Sequence, residues 1–313
     1  MTAFGRKAFV CLGIAAALSA GCDARRAVMK RIVGDLSNYF QEPGAQGDAE
    51  IEKLTDRVYT FRWTWYRNIA VRTDDGWVVD DPFSVEAGRL LAAELERIAP
   101  GLPVHTLIYT HYHLDHAMGG APLRPGRVIA HEKCPQYWEA AGARDVLPPT
   151  ELIAGDRTLE IGGVRIDLLY AGLSHSDTLY AIHLPGERLL HTADMGLVRA
   201  VPPVGVPDRY GPGYEAALER LADLEFDRFV PSHFRHGFKQ DLRDSIAFLK
   251  DARRLARASL RPDGHLGRTR PELEEGFARV YDGMKEKYGD WHGWNEMMFM
   301  MIVRANAGEL LGY

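Results

Sequence analysis

The chain has 313 residues, of which 46% are hydrophobic and 26% charged, with a formal net charge of -5. That is the make-up of a folded globular protein rather than a disordered one, long enough for one large layered domain with additions or for two modest ones. Lys and Arg are scattered rather than clustered, so there is no footprint for a phosphate backbone and nucleic acid is excluded as the expected partner.

Arg6 and Lys7 precede an apolar run, Ala8 to Ala20, that is too short to span a bilayer and reads as a secretory signal. The following Leu18-Ser19-Ala20-Gly21-Cys22-Asp23 resembles the lipobox of bacterial lipoproteins. This implies a signal over residues 1–22, acylation of Cys22, and a cell-envelope protein held to the membrane by an N-terminal lipid anchor. Cleavage near Ala20 with release of a soluble, extracytoplasmic protein is the other reading. Residues 23–50 are polar, with Pro43, Gly44 and Gly47, and are expected to form a short helix and a tether without a core. Of the three cysteines only Cys134 falls in the body of the fold, so no intramolecular disulfide is expected, and its thiol is expected to pack rather than react.

Strand-like runs then recur between turn residues: 58–61, 68–71, 76–79, 104–109, 128–130, 164–169, 179–184 and 188–191. Helical spacing interleaves with them. Leu91, Leu95 and Ile98 form one stripe of a helix over 85–98, a second helix is expected over 214–224, and Leu242, Ile246 and Leu249 mark a third over 241–258. Such an alternation predicts sheets covered by helices. A polar break near Arg261 leads to helical text at 271–288 and an apolar, Met-rich stretch at 297–303, expected to pack as core, with a substrate entrance or a dimer contact as the other readings. The catalytic domain is placed at 51–245 and a helical C-terminal extension at 246–313.

The chemistry concentrates in Thr110-His111-Tyr112-His113-Leu114-Asp115-His116, directly after the apolar run 104–109. Histidines at alternate positions of an extended loop point the same way, so His111 and His113 can share one metal while Asp115 and His116 turn toward a second. Gly119 and Gly120 let the backbone bend just behind. Further candidates follow in order, each near the end of an apolar run: His175, Asp194 and His233. His131 and His191 end neighbouring runs, and Tyr112 and Tyr180 could donate to an oxyanion; packing is the plainer role for all four.

This ordered set resembles the metallo-β-lactamase superfamily from about Glu50 to Phe238. The resemblance implies a four-layer αββα sandwich of α+β class, with His111, His113 and His175 on one metal, Asp115, His116 and His233 on the other, and Asp194 bridging. Asp80 matches the superfamily's early aspartate that orients the metal loop, with Asp81 competing for that role; Asp80, Ser176 and Asp177 are the candidate partners of the ligating histidines. Seven ligands for two ions leave open positions, as catalytic sites do. A water shared by two dications about 3.5 to 4 Å apart loses its proton near neutral pH and becomes the nucleophile, with Asp115 and Asp194 as the catalytic carboxylates. Two zinc ions suit the donors, and iron or manganese would also fit.

The implied activity is hydrolysis of an ester, lactone, thioester or amide bond in a small molecule; the bridging aspartate sets the chain nearer lactonases and glyoxalase II-type thioesterases than true β-lactamases. Two rivals stand beside it. One is a mononuclear iron persulfide dioxygenase, the other a non-catalytic envelope lipoprotein that binds a ligand on the same fold.

Overall fold

The computed structural model describes residues 36–203 and 206–312, together with 27, 30 and 34. The signal-type segment and Cys22 lie outside the described residues. Residues 36–39 are helical, with the rings of Tyr39 and Phe40 edge to face at 5.2 Å. Residues 42–313 form one further unit.

That unit is built on two mixed sheets. The first runs β1 (Ala49–Lys53), β2 (Val58–Trp63), β3 (Tyr66–Thr73), β4 (Gly76–Asp80), β5 (Val104–Ile108), β6 (Arg127–His131) and β7 (Glu151–Ile153), side by side in that order. It is antiparallel through β4 and parallel from β4 to β7, because helix α1 (Val85–Ile98) carries the chain back between β4 and β5. Ser84 caps that helix, its hydroxyl accepting from the Ala87 N–H. After β5 comes a single helical turn, α2 (Leu114–Ala117), and after β6 helix α3 (Cys134–Ala141).

The second sheet has the order β13-β12-β11-β10-β9-β8, from β8 (Arg157–Ile161), β9 (Val164–Tyr170), β10 (Tyr180–Leu184), β11 (Leu189–Ala193), β12 (Arg228–Pro231) and β13 (Gly237–Phe238). β8 and β9 turn on Gly162 and Gly163, both at positive φ, as a two-residue hairpin demands. Helix α4 (Gly211–Ala222) makes the crossover between the parallel pair β11 and β12.

Period-two alternation decides which sheet face meets what. Val58, Ile69, Val71, Val78, Ile108 and Ile129 of the first sheet pack against Ile166, Leu168, Ile182, Leu184, Leu189 and Val230 of the second. Their neighbours Phe61, Ala70, Trp77, Val79 and Leu107 point outward under Leu91 and Leu95 of α1. Leu218 of α4 and Leu242 of α5 (Lys239–Ala258) lie beside Phe229 on the far side of the second sheet. The result is helices, two sheets, helices: the expected αββα sandwich.

The strands β1, β7, β8, β12 and β13 come in addition to those expected. β1 begins in the last two residues of the segment read as a tether, and the stretch before it is fastened: Glu42 pairs with Arg67 at 3.0 Å, and Arg62 donates to the carbonyls of Gln46 and Gly47. The boundary placed at 245/246 falls inside α5, which runs unbroken. Helices α6 (Arg270–Tyr288) and α7 (Trp294–Leu311) follow, the second longer than its Met-rich centre suggested. Met297, Met298, Met301 and Ile302 are buried, and Trp294 donates to the Tyr281 hydroxyl, so these three methionines pack as core while Met300 stays exposed. No helix among the described residues is long and apolar enough to cross a membrane.

One edge of the sandwich is stitched. Arg67 of β3 sends its backbone N–H to the Ser232 carbonyl and its Nε to the Phe234 carbonyl, Phe234 returns its N–H to Trp65, and Tyr66 bridges His233. The two sheets are therefore hydrogen-bonded together where β12 ends.

Candidate metal centre

Strand ends deliver the candidate ligands. His111 and His116 flank the turn after β5 with His113 at the N-terminus of α2, His175 sits in the loop between β9 and β10, Asp194 follows β11 and His233 follows β12. β5, β11 and β12 all present their carboxyl ends here, the edge at which open α/β sheets bind ligands.

The donor atoms of the candidate ligands form two overlapping groups, and a third joins Asp81 to His111 and His116. His111, His113, His175 and Asp194 offer one atom each within 4.8 Å of one another, as do His116, Asp194 and His233. Asp194 belongs to both, with Oδ2 at 3.3 Å from His175 Nε2 and Oδ1 at 3.2 Å from His116 Nε2 and 3.1 Å from His233 Nε2. Asp115 stands at the rim, half exposed, 4.0 Å from His116 Nε2 and accepting a hydrogen bond from the Tyr66 hydroxyl at 3.1 Å.

The outer partners of the rings fix which nitrogen faces inward. Asp81 accepts from His116 Nδ1 at 3.1 Å, and from the backbone N–H and hydroxyl of Thr110. With its proton given to Asp81, the Thr110 oxygen accepts from His111 Nδ1 at 2.9 Å. His113 donates Nε2–H to Asp208 at 3.0 Å, and its Nδ1 faces His175 Nε2 at 3.1 Å. His111 Nε2 and His113 Nδ1 are thereby left as lone pairs within the first donor group, while His116 Nε2 faces Asp194 Oδ1.

Inside this ring, His111 Nε2, His116 Nε2 and Asp194 Oδ1 are buried without an aligned hydrogen-bond partner. Each such atom costs about 1–3 kcal/mol. Three of them converging from imidazoles and a carboxylate fit a divalent cation. The electrostatics agree. Burial, with His116 and His113 beside it, pushes His111 well below the ordinary histidine value, and burial takes His175 to about 3, so both stay neutral and able to ligate. Burial opposes charge on His116 and Asp194 alike, yet each holds the other ionised: Asp194 draws His116 well above its usual value, and His116, His233 and His175 keep Asp194 well below.

The expected outer partners need correction. Asp80 does not touch the metal-motif loop; its carboxylate meets His191 Nε2 at 2.9 Å and the Ile69 N–H at 2.7 Å, a fully buried pair between the sheets. Asp81, the competing candidate, holds that loop. Ser176 faces Thr178, and Asp177 binds Lys133 and Tyr137, so neither reaches a ligand ring. Of the histidines given a plainer role, His131 accepts from the Lys133 N–H and His191 donates to the Val230 carbonyl. Tyr180 packs among Tyr170 and His131, and burial pushes the Cys134 thiol up to about 12, unsuited to attack at neutral pH.

Beside the centre stands an aromatic wall that sequence reasoning missed. Trp65 stacks on His233 with centroids 3.9 Å apart, and Tyr66 lies edge-on to His116 and over Phe83. Trp65 and Tyr66 lie at the β2–β3 turn, whose Trp63-Thr64-Trp65-Tyr66 run is visible in the sequence but carries no motif, and Phe83 follows β4.

The two buried aspartates separate in a test. Asp81→Asn is expected to weaken metal binding about ten- to a hundredfold, since it loosens both His116 and Thr110. Asp80→Asn is expected to lower the melting temperature while leaving metal affinity in place, because its partner is His191. Titration against a chromophoric chelator, with a thermal melt of each metal-free variant, checks both; equal metal affinities in the two variants would refute the assignment.

Comparison with known proteins is consistent with this geometry. The family model described as "Metallo-beta-lactamase superfamily" matches residues 68–233. The "2,4-dinitroanisole O-demethylase subunit alpha" of Nocardioides sp. (strain JS1661) is 32% identical over 216 residues, 68% of this chain, and the match spans 64% of that relative's length. The beta subunit from the same strain is 25% identical over 79% of this chain and 77% of its own. Among solved structures, "Metallo-beta-lactamase from Pontibacter korlensis" superposes with a TM-score of 0.58 over 64% of this chain and 99% of its own, at 22% identity, a likeness of fold.

Proposed function

Since the chain belongs to the metallo-β-lactamase superfamily, we propose that it is a metal-dependent hydrolase that holds two cations, zinc by preference, and cleaves a small molecule. The observation that carries this is the ring of buried, inward-facing donor atoms from five histidines and Asp194, packed within 4.8 Å of one another in two groups that share Asp194. The second donor group, His116, Asp194 and His233, supports two ions and so favours hydrolysis over the mononuclear iron dioxygenase. A binding lipoprotein would gain nothing from burying so many ligating side chains together.

His111, His113 and His175 would hold one cation, His116 and His233 with Asp115 the other, and Asp194 both. When bound, the cations would polarise the scissile bond and make a water acidic enough to attack near neutral pH. Asp115, half exposed at the rim, is placed to take up a proton and pass it to the leaving group. Tyr66 keeps its own proton, because burial and the nearby Asp115 push its hydroxyl far up, and it serves as a donor to Asp115 or to developing negative charge. Trp65, packed on His233, keeps water off one side.

The substrate class we propose is an ester, lactone, thioester or amide. Likeness to the two O-demethylase subunits adds an activated aryl methyl ether, for which the aromatic wall offers a stacking face. Export and attachment through Cys22 remain part of the proposal, which places the activity in the cell envelope.

Metal content per chain, followed by assays of the loaded protein on lactone, thioester, aryl ester and 2,4-dinitroanisole panels, tests this reading. About two equivalents of zinc with turnover on one class is the expected result. About one iron would shift the reading to sulfur oxidation, and a metal-replete protein inert on every panel would overturn hydrolysis.

A further inference from the structure

The segment between β11 and α4 supplies no candidate ligand after Asp194, yet it returns to the centre. Oδ2 of Asp208 accepts from the Tyr112 hydroxyl at 2.8 Å and from His113 Nε2 at 3.0 Å. The same imidazole presents Nδ1 to His175 at 3.1 Å, inside the first donor group. Both contacts are satisfied by one tautomer only, with the proton on Nε2 and the lone pair on Nδ1.

Asp208 is itself held from behind. The Tyr210 N–H donates to the Ser174 carbonyl at 2.7 Å, tying the segment to the residue before His175. Arg304, on the C-terminal helix α7, donates Nη1 to the Val206 carbonyl at 3.1 Å and Nη2 to the Arg209 carbonyl, gripping the chain on either side of Asp208. The guanidinium of Arg209 lies over the Tyr214 ring at 4.1 Å. A continuous set of hydrogen bonds therefore runs from α7 through residues 206–209 to His113.

We propose that Asp208 is a positioning residue for the metal centre, setting the ring orientation and tautomer of His113, and that the C-terminal helix holds it there through Arg304. This rests on the metal reading above. The C-terminal extension thereby acquires a role, because the first cation site comes to depend on a helix outside the ligand-bearing loops. Tyr112, which shares the carboxylate but has no place in the donor group, steadies Asp208 and is less important.

The test measures zinc affinity of the full chain by chelator competition, and the visible spectrum of the cobalt-substituted protein, for Asp208→Ala, Asp208→Asn, Arg304→Met and the parent. Expected are a ten- to hundredfold loss of zinc affinity and an altered cobalt spectrum in Asp208→Ala, a smaller loss in Asp208→Asn, which keeps an acceptor, and an intermediate one in Arg304→Met. The metal-free melting temperature of Asp208→Asn should match the parent's, which a merely structural role would not predict. Parent-like affinity in both Asp208 variants overturns the assignment, and parent-like affinity in Arg304→Met alone overturns the link to α7. A parent that binds no zinc or cobalt sinks the metal reading instead, so the two failures are distinct.

Discussion

Replacing Asp194 by alanine will lower bound metal and turnover together, with kcat/KM falling at least about a thousandfold, equivalent to about 4 kcal/mol. The size follows from its place. Both carboxylate oxygens are committed, Oδ2 toward His175 and Oδ1 toward His116 and His233, so a single truncation removes a donor from both groups. It also leaves His116 without the foremost of the three carboxylates, Asp194, Asp81 and Asp115, that draw its proton affinity up. Asp194→Asn keeps the shape and removes the charge, and is expected to lose metal almost as fully. His116→Ala should resemble it, since that ring joins Asp81 to Asp194. Elemental analysis alongside steady-state kinetics decides the matter: metal-loaded variants with parental turnover would mean that Asp194 is not a ligand.

Gly119→Ala should be the most destabilising substitution outside the donor set, costing about 3 kcal/mol or more. Its φ of +92 is closed to side chains, and a Cβ there would lie 2.0 Å from the carbonyl carbon and oxygen of Ser84. Ser84 caps α1, and its neighbour Phe83 donates its N–H to the His116 carbonyl. The methyl group would thus drive the helix start away from the metal-motif loop. Gly142 supplies the control: it too has positive φ, at +62, but nothing within 4 Å of an added Cβ, so Gly142→Ala should cost only about 1–2 kcal/mol. Chemical denaturation of the two variants separates conformational strain from collision, and equal losses would show that the contact with Ser84 is relieved cheaply.

The centre was readable where its chemistry is local. Four candidate ligands fall within six residues after β5, and His175, Asp194 and His233 each follow a strand-like run, so order and spacing suffice to bring them into view. Asp80 and Asp81 were not separable that way, although strand parity favours the observed answer. Val78 faces the second sheet and Val79 faces α1, so Asp80, two residues beyond Val78, also faces the second sheet and meets His191 there. Asp81 lies past the strand end at φ +24, and that backbone turn, which swings it onto Thr110 and His116, has no signature in the residue types. Asp208 was invisible for a different reason: 95 residues separate it from His113, and no periodic pattern connects them. The strands passed over are short or lie at sheet edges. β8, with only Leu159 and Ile161 buried, and β1, beginning within polar text, bury too little for a hydrophobic run to stand out.

The sheets meet at the edge where Arg67 and Tyr66 reach β12, and the candidate ligands straddle that seam: His111, His113 and His116 belong to the first sheet, while His175, Asp194 and His233 belong to the second. A cation held here would act as a removable cross-link. The cation of the second group would join positions 116 and 233, which are 233 − 116 = 117 residues apart, and a covalent tie closing a loop of that length restricts the unfolded chain by about 5 kcal/mol on the chain-entropy reckoning. The described residues contain one cysteine, Cys134, buried and unpaired. A staple of this kind between the two halves of the sandwich would be one that a chelator could withdraw and a metal ion restore.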